Sequence, residues 1–215
     1  MEKPLVVTNL SKKYSEYYAL APLSFSLEEA EITALSGPNG SGKTTLLTCI
    51  AGLTRFTSGS VKVNGFDLFE DEVEFRKRLV FVPDVPRYYM ELTAWEHLEF
   101  IAAAHQNQTY LNENGKQLLE SLALWEAREL YPHHFSRGMR LKLALAMAFV
   151  RPFEVLMLDE PTSALDEAGI EILSAYLIQC KEKGKTVLFS THDQQLANKL
   201  ADRKLTIAQG EMKSE

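Results

Sequence analysis

Four short apolar runs punctuate the chain: Ile32-Thr33-Ala34-Leu35, Leu79-Val80-Phe81-Val82, Val155-Leu156-Met157-Leu158 and Thr186-Val187-Leu188-Phe189. Each is too short for a helix and too continuously apolar for a surface strand, so each predicts a buried strand. Pro83 ends the second run. Strict alternation predicts half-buried strands over 23–27 and 60–65, the latter closed by an Asn64-Gly65 turn signal, with further strands over 5–7 and 205–207. Tyr14, Tyr17 and Tyr18 fall between the first two strands and read as a polar loop. Helical spacing takes over elsewhere. Thr93-Ala94-Trp95-Glu96 is a capping box that opens a helix through Leu98, Phe100, Ile101 and Ala104. Helices are further predicted from near 43 to 51 and over 116–124, 167–183 and 194–200. Ser136 predicts the N-cap of a helix to Val150, with Pro152 as its stop. Strands alternating with helices imply a mostly parallel sheet covered on both faces. The stretch from 84 to 152 is helical and interrupts that pattern, and the chain shows no internal repeat.

Composition narrows the class. With 215 residues, 46% apolar and 24% charged, the chain suits one domain carrying a subdomain. A net charge of −6 speaks against a general nucleic-acid binder, which meets phosphates with basic patches. No long apolar segment follows the start, so no signal peptide is expected, and the most apolar stretch, 141–150, contains Lys142 and is too short to cross a bilayer. Cys49 and Cys180 lie far apart, as in a reduced cytoplasmic protein.

The chemistry begins at Gly37-Pro38-Asn39-Gly40-Ser41-Gly42-Lys43-Thr44, which fits G-x-x-x-x-G-K-[ST] between a strand and a helix that continues with Thr45. Glycines allow backbone N–H groups to close on an anion, and the helix N-terminus favours the same charge. Lys43 would reach the β- and γ-phosphates, and the Thr44 hydroxyl would ligate Mg²⁺. Asp159 and Glu160 end a buried strand on the side where α/β sheets bind ligands. Asp159 is placed to hold Mg²⁺, and Glu160 to accept a proton from an attacking water. His133-His134 lacks the further nearby ligands of a zinc site and is assigned no metal.

The phosphate loop, Phe135-Ser136-Arg137-Gly138-Met139, Asp159-Glu160, Ser163-Ala164-Leu165-Asp166 and His192 occur in an order and spacing that resemble the nucleotide-binding subunit of an ABC (ATP-binding cassette) transporter. The likeness runs from Val6 to about Gly210, and it rests on the ensemble, since many ATPases share the phosphate loop alone. It implies a P-loop NTPase core (1–83 and 153–215) with an N-terminal antiparallel β portion and a helical subdomain over about 84–152. It implies ATP and Mg²⁺ as ligands, and Tyr14 as the aromatic that stacks on adenine. Ser136, Arg137, Gly138 and Met139 would be the signature that contacts ATP held by a second subunit. Ser163 to Asp166 would meet the partner's phosphate loop, and His192 would bond the γ-phosphate. The partners implied are a second ATP-binding subunit, identical or not, and an integral membrane permease, with the chain peripheral to the inner face of the cell membrane.

Two positions depart from the family pattern. Arg137 and Met139 replace residues of the usual signature, in a form similar to many export-type cassettes. Asp84, in Phe81-Val82-Pro83-Asp84, stands where the family has a glutamine near the metal; it could bind the metal region or alter coupling to the permease. Pro86-Arg87-Tyr88-Tyr89-Met90 lies where the permease would dock, or these aromatics pack the start of the helical insert. The implied activity is ATP hydrolysis that powers transport, with export as the direction. A soluble cassette ATPase acting in DNA repair or translation is the alternative; such chains usually carry paired cassettes, coiled-coil arms or zinc modules.

Overall fold

The computed structural model describes residues 2–213. Two compact units emerge. The first runs up to Phe81 and adds Phe153–Glu160 and the chain from Tyr176 onward; the second comprises Val82–Pro152 and Pro161–Ala175.

In the first unit the four apolar runs become strands β3 (Ile32–Ser36), β6 (Leu79–Val82), β7 (Val155–Leu158) and β8 (Thr186–Thr191). Every residue of β3, β7 and β8 is buried, as continuous apolar runs require. They form a six-stranded sheet of order β10-β9-β3-β8-β7-β6, completed by β9 (Arg203–Ala208) and β10 (Glu211–Lys213). The pairings β9/β3, β3/β8 and β8/β7 are parallel, and β10 runs antiparallel to β9. A second sheet of order β2-β1-β4-β5 is antiparallel throughout. It uses β1 (Leu5–Tyr14), β2 (Tyr17–Leu27), β4 (Ser58–Val63) and β5 (Phe66–Asp67). Helix α1 (Lys43–Ile50) buries Leu46, Leu47, Cys49 and Ile50 in one core with side chains from both sheets, including Leu5, Leu27, Val61, Met157, Leu188 and Ile207. Helix α7 (Gln194–Leu200) packs on β3 and β8.

The tyrosines are not in a loop. Tyr14 ends β1, Tyr17 opens β2, and the two pair across a turn of only Ser15 and Glu16. Three register shifts along β1, between Val7 and Lys13, break the period of two on which the strand pattern depends. The polar stretch after 65 also holds helix α2 (Glu72–Arg78), and the polar end of the chain forms β10, neither of which the apolar pattern predicts.

The second unit is built on α3 (Ala94–Ala104), α4 (Gln108–Ser121) and α5 (Arg137–Phe149), with α3 packed against both of the others. Both capping-box bonds of α3 form: Thr93 Oγ1 accepts the Glu96 N–H at 3.2 Å, and Glu96 Oε2 accepts the Thr93 N–H at 2.7 Å. Helix α4 starts eight residues before the predicted 116, because its first two turns bury only Leu111 and Gly115. Helix α6 (Glu167–Glu182) begins in this unit and ends in the first.

Candidate functional site

The first unit contains a cavity of about 500 Å³ lined by Tyr14, Tyr17, Ala19, residues 39–45 and Glu160. Its core is the turn between β3 and α1. Gly42 has φ 110°, and a Cβ there would come within 2.9 Å of Leu20 Cδ2, so both conformation and space demand glycine. Gly42 is also the N-cap of α1 and offers no side-chain acceptor, which leaves first-turn N–H groups for a ligand. Lys43 is 6% exposed, and its Nζ donates to the carbonyls of Gly37 (2.8 Å) and Pro38 (3.4 Å). The Ser41 hydroxyl is buried without a hydrogen-bond partner, an arrangement that costs free energy unless a ligand supplies the partner. These groups suit a chain of phosphates.

Glu160 closes the cavity at the end of β7. One carboxylate oxygen lies 3.4 Å from Lys43 Nζ, and the other is 2.9 Å from His192 Nδ1, just beyond β8. Its backbone is left-handed, with φ 46°. Asp159 beside it is 2% exposed and accepts a 2.6 Å hydrogen bond from the Ser190 hydroxyl, whose oxygen accepts the Glu160 N–H at 2.9 Å. Tyr14 remains 53% exposed, with Lys12 Nζ 4.4 Å from its ring centre. Tyr17 and Ser190 were not assigned to the site from the sequence. Tyr17 reads as part of a loop, with its aromatic side chain as the available signal; Ser190 is one of three buried hydroxyl residues in its strand, and its place two residues before His192 is the available signal.

The remaining candidates lie in the second unit. Ser136 Oγ accepts the Met139 N–H at 3.2 Å and so caps α5. Arg137 and Ser163 both meet Asp84. Asp166 Oδ1 accepts the Gly169 N–H at 2.9 Å and fixes the first turn of α6.

The family model described as ABC transporter matches residues 20–163. The chain belongs to that family. Such cassettes hydrolyse ATP, so the protein is an ATPase of the ABC type. This cassette is 36% identical to an uncharacterized ABC transporter ATP-binding protein of Bacillus subtilis strain 168, over all of its own length and 70% of that protein's. It is 34% identical to the SkfA peptide export ATP-binding protein SkfE of the same organism, over 96% of this chain and 86% of that one. It is also 36% identical to a sulfate/thiosulfate import ATP-binding protein of Vibrio cholerae, over 94% of this chain and 55% of that one. Among solved structures, a dimeric ATP-binding cassette in a post-hydrolysis state bound to ADP and Pi superposes with a TM-score of 0.84 at 26% identity, covering 98% of this cassette and 97% of the other.

Proposed function

We propose that the cassette powers a membrane exporter by hydrolysing ATP at composite sites in a head-to-tail dimer. The observation that carries this reading is the cavity in which residues 39–45, Tyr14 and Glu160 converge, with Glu160 held between Lys43 and His192. Residues 37–45 bind the phosphates, Lys43 neutralises their charge, and Tyr14 stacks on the adenine. Ser136 and the first turn of α5 serve the γ-phosphate of ATP in the partner copy, with the loop 163–166 beside them.

Glu160 orients a water and takes one of its protons as the water oxygen bonds to the γ-phosphorus. The bond from that phosphorus to the β–γ bridging oxygen breaks, and ADP leaves with the electron pair. His192 holds Glu160 in place and donates to the departing phosphate. Asp159 and Thr44 fit Mg²⁺, because a carboxylate that is nearly fully buried with one hydroxyl donor needs a further positive partner. When bound there, the ion supplies charge neutralisation at the phosphate oxygens.

The permease would dock on the second unit at Val85, Tyr89, Met90 and Phe100, which are all exposed; Tyr89 and Phe100 meet edge to face at 5.3 Å. No helix among the described residues is long and apolar enough to cross a membrane, so this reading needs such a partner on the inner face of the membrane. Export rests on the form of the signature at 136–139, since relatives named for import and for export are both similar.

Glu160→Gln should form an ATP-trapped dimer on a sizing column with Mg-ATP and turn over at least about 100-fold more slowly. A variant that stays monomeric would remove the composite site. Affinity capture of the tagged chain from detergent extracts should bring down an integral membrane protein; recovery with ribosomes or DNA instead would favour the soluble alternative.

A further inference from the structure

Three distant stretches of the second unit meet at one carboxylate oxygen. Asp84 Oδ1 accepts from Arg137 Nη2 at 2.9 Å and from the Ser163 hydroxyl at 2.5 Å, while Arg137 Nη2 also donates to Ser163 Oγ at 3.1 Å. The donors and acceptors balance. The two hydrogens of Nη2 serve the two oxygens, the single hydroxyl hydrogen of Ser163 serves Oδ1, and both lone pairs of Oδ1 are used. An independent contact joins two of the same segments: a Cβ at Gly138 would lie 2.7 Å from the Ala164 carbonyl oxygen, so only glycine lets the first turn of α5 press against that loop.

We propose that Asp84 is a positioning residue whose carboxylate clasps Arg137 and Ser163, so that the start of α5 and the loop 163–166 present one fixed surface to the nucleotide of a partner copy. The inference rests on the composite-site reading above. The side chains of Asp84 and Arg137 are 35% and 60% exposed, and an ion pair so solvated contributes little to global stability. Its effect is local order. Each of the three groups restricts the other two, and a closed network of this kind holds a geometry that any one pair would leave loose. Asparagine at position 84 keeps the accepting oxygen and loses only the charge, whereas alanine removes the hub.

The test uses the full chain in two measurements. Hydrogen exchange on the monomer reads the clasp directly: Asp84→Ala should speed exchange about tenfold in residues 162–167 and in the first turn of α5, leave residues 37–45 unchanged, and be largely rescued by Asp84→Asn. Sedimentation in the Glu160→Gln background with Mg-ATP reads its consequence: Asp84→Ala should weaken dimerisation about tenfold while monomer affinity for a fluorescent ATP analogue stays within about twofold. Ser163→Ala should cost less in the Asp84→Ala background than in the wild type, because the hydroxyl then has only its Arg137 contact left to lose. Unchanged exchange in both segments would overturn the proposal. So would a shift in the Mg²⁺ requirement of monomer nucleotide binding, which would make Asp84 a group of the metal region. If Glu160→Gln stays monomeric whatever stands at position 84, the composite site fails, and the exchange measurement still decides the clasp.

Discussion

Glu160 carries the proposed proton acceptor on a backbone that a side chain normally avoids: its φ of 46° costs roughly 1–2 kcal/mol for a non-glycine residue. The surroundings hold it there. Its N–H is fixed by Ser190 Oγ, and its carboxylate is fixed by Lys43 and His192. Ser190 is fully buried, and its hydroxyl works twice, accepting from Glu160 and donating to Asp159. Ser190→Ala would strip one partner from a buried N–H and one from a buried carboxylate, a loss of about 1–3 kcal/mol for each group left unpaired. The expected outcome is a kcat lowered by about 10- to 100-fold with ATP affinity nearly unchanged, because the phosphate-binding residues 39–45 are untouched. Ser190→Thr keeps the hydroxyl on a β-branched side chain suited to a strand and should recover most of the rate. Steady-state ATPase assays paired with nucleotide binding on the same preparations would check both variants.

Strand β3 delivers the phosphate loop, and its first residue is pinned from β9's approach. The Asp202 N–H donates to the Ile32 carbonyl at 2.8 Å, and Asp202 Oδ2 accepts the Ile32 N–H at 2.8 Å, with the Lys181 ammonium on the other carboxylate oxygen. Burial pushes the Asp202 carboxyl up, but Lys181 and the Ile32 N–H together outweigh it and hold the group below its ordinary 3.8. A depressed folded value contributes stability that is present above the unfolded pKa and lost as pH falls through the folded one. Asp202→Asn should therefore flatten the fall in urea midpoint below about pH 4 and lower the unfolding free energy at neutral pH by well under about 1 kcal/mol for so exposed a pair. Elements like β3, β7 and β8 were readable because burial on every side leaves an apolar run with no alternative. Helix α2 was not: Phe75 is its only buried residue, Val73 is exposed, and the other five residues are charged and joined in ion pairs. His97 escaped too, as a polar residue fully buried on α3 whose Nε2 accepts the Tyr89 N–H while Nδ1 meets the Thr93 carbonyl. The lining at 39–45 and Glu160 is readable in advance because the phosphate loop is a contiguous run and Glu160 ends an apolar strand, whereas Tyr14 enters only through the family resemblance. Ser190 and the Asp84 clasp could not, because each exists only as a meeting of residues 26 or more positions apart.

At the scale of the whole molecule, the two sets of functional groups fall in different units: the phosphate cavity in the first, and the capped start of α5 with the loop 163–166 in the second. In the composite reading, the cavity of one copy is served by the second unit of another, so productive closure is bimolecular. Turnover per subunit should then climb in proportion to protein concentration well below the dimer dissociation constant and level off above it, whereas a self-sufficient chain would give a flat line. The slope alone could reflect loss of dilute protein on surfaces, and a mixing experiment separates the two. Lys43→Ala removes the ammonium from the cavity but leaves Ser136, Arg137 and Gly138 intact. Added in excess to dilute wild type, these subunits supply the missing face to each wild-type cavity and should raise the rate per wild-type subunit. Lys43→Ala subunits that also carry Ser136→Arg, which replaces the capping hydroxyl by a bulky cation, should fail to do so. Stimulation by the first and not by the second ties turnover to the start of α5 acting across two chains; no stimulation by either, together with a flat concentration profile, would mean that one copy completes the site by itself.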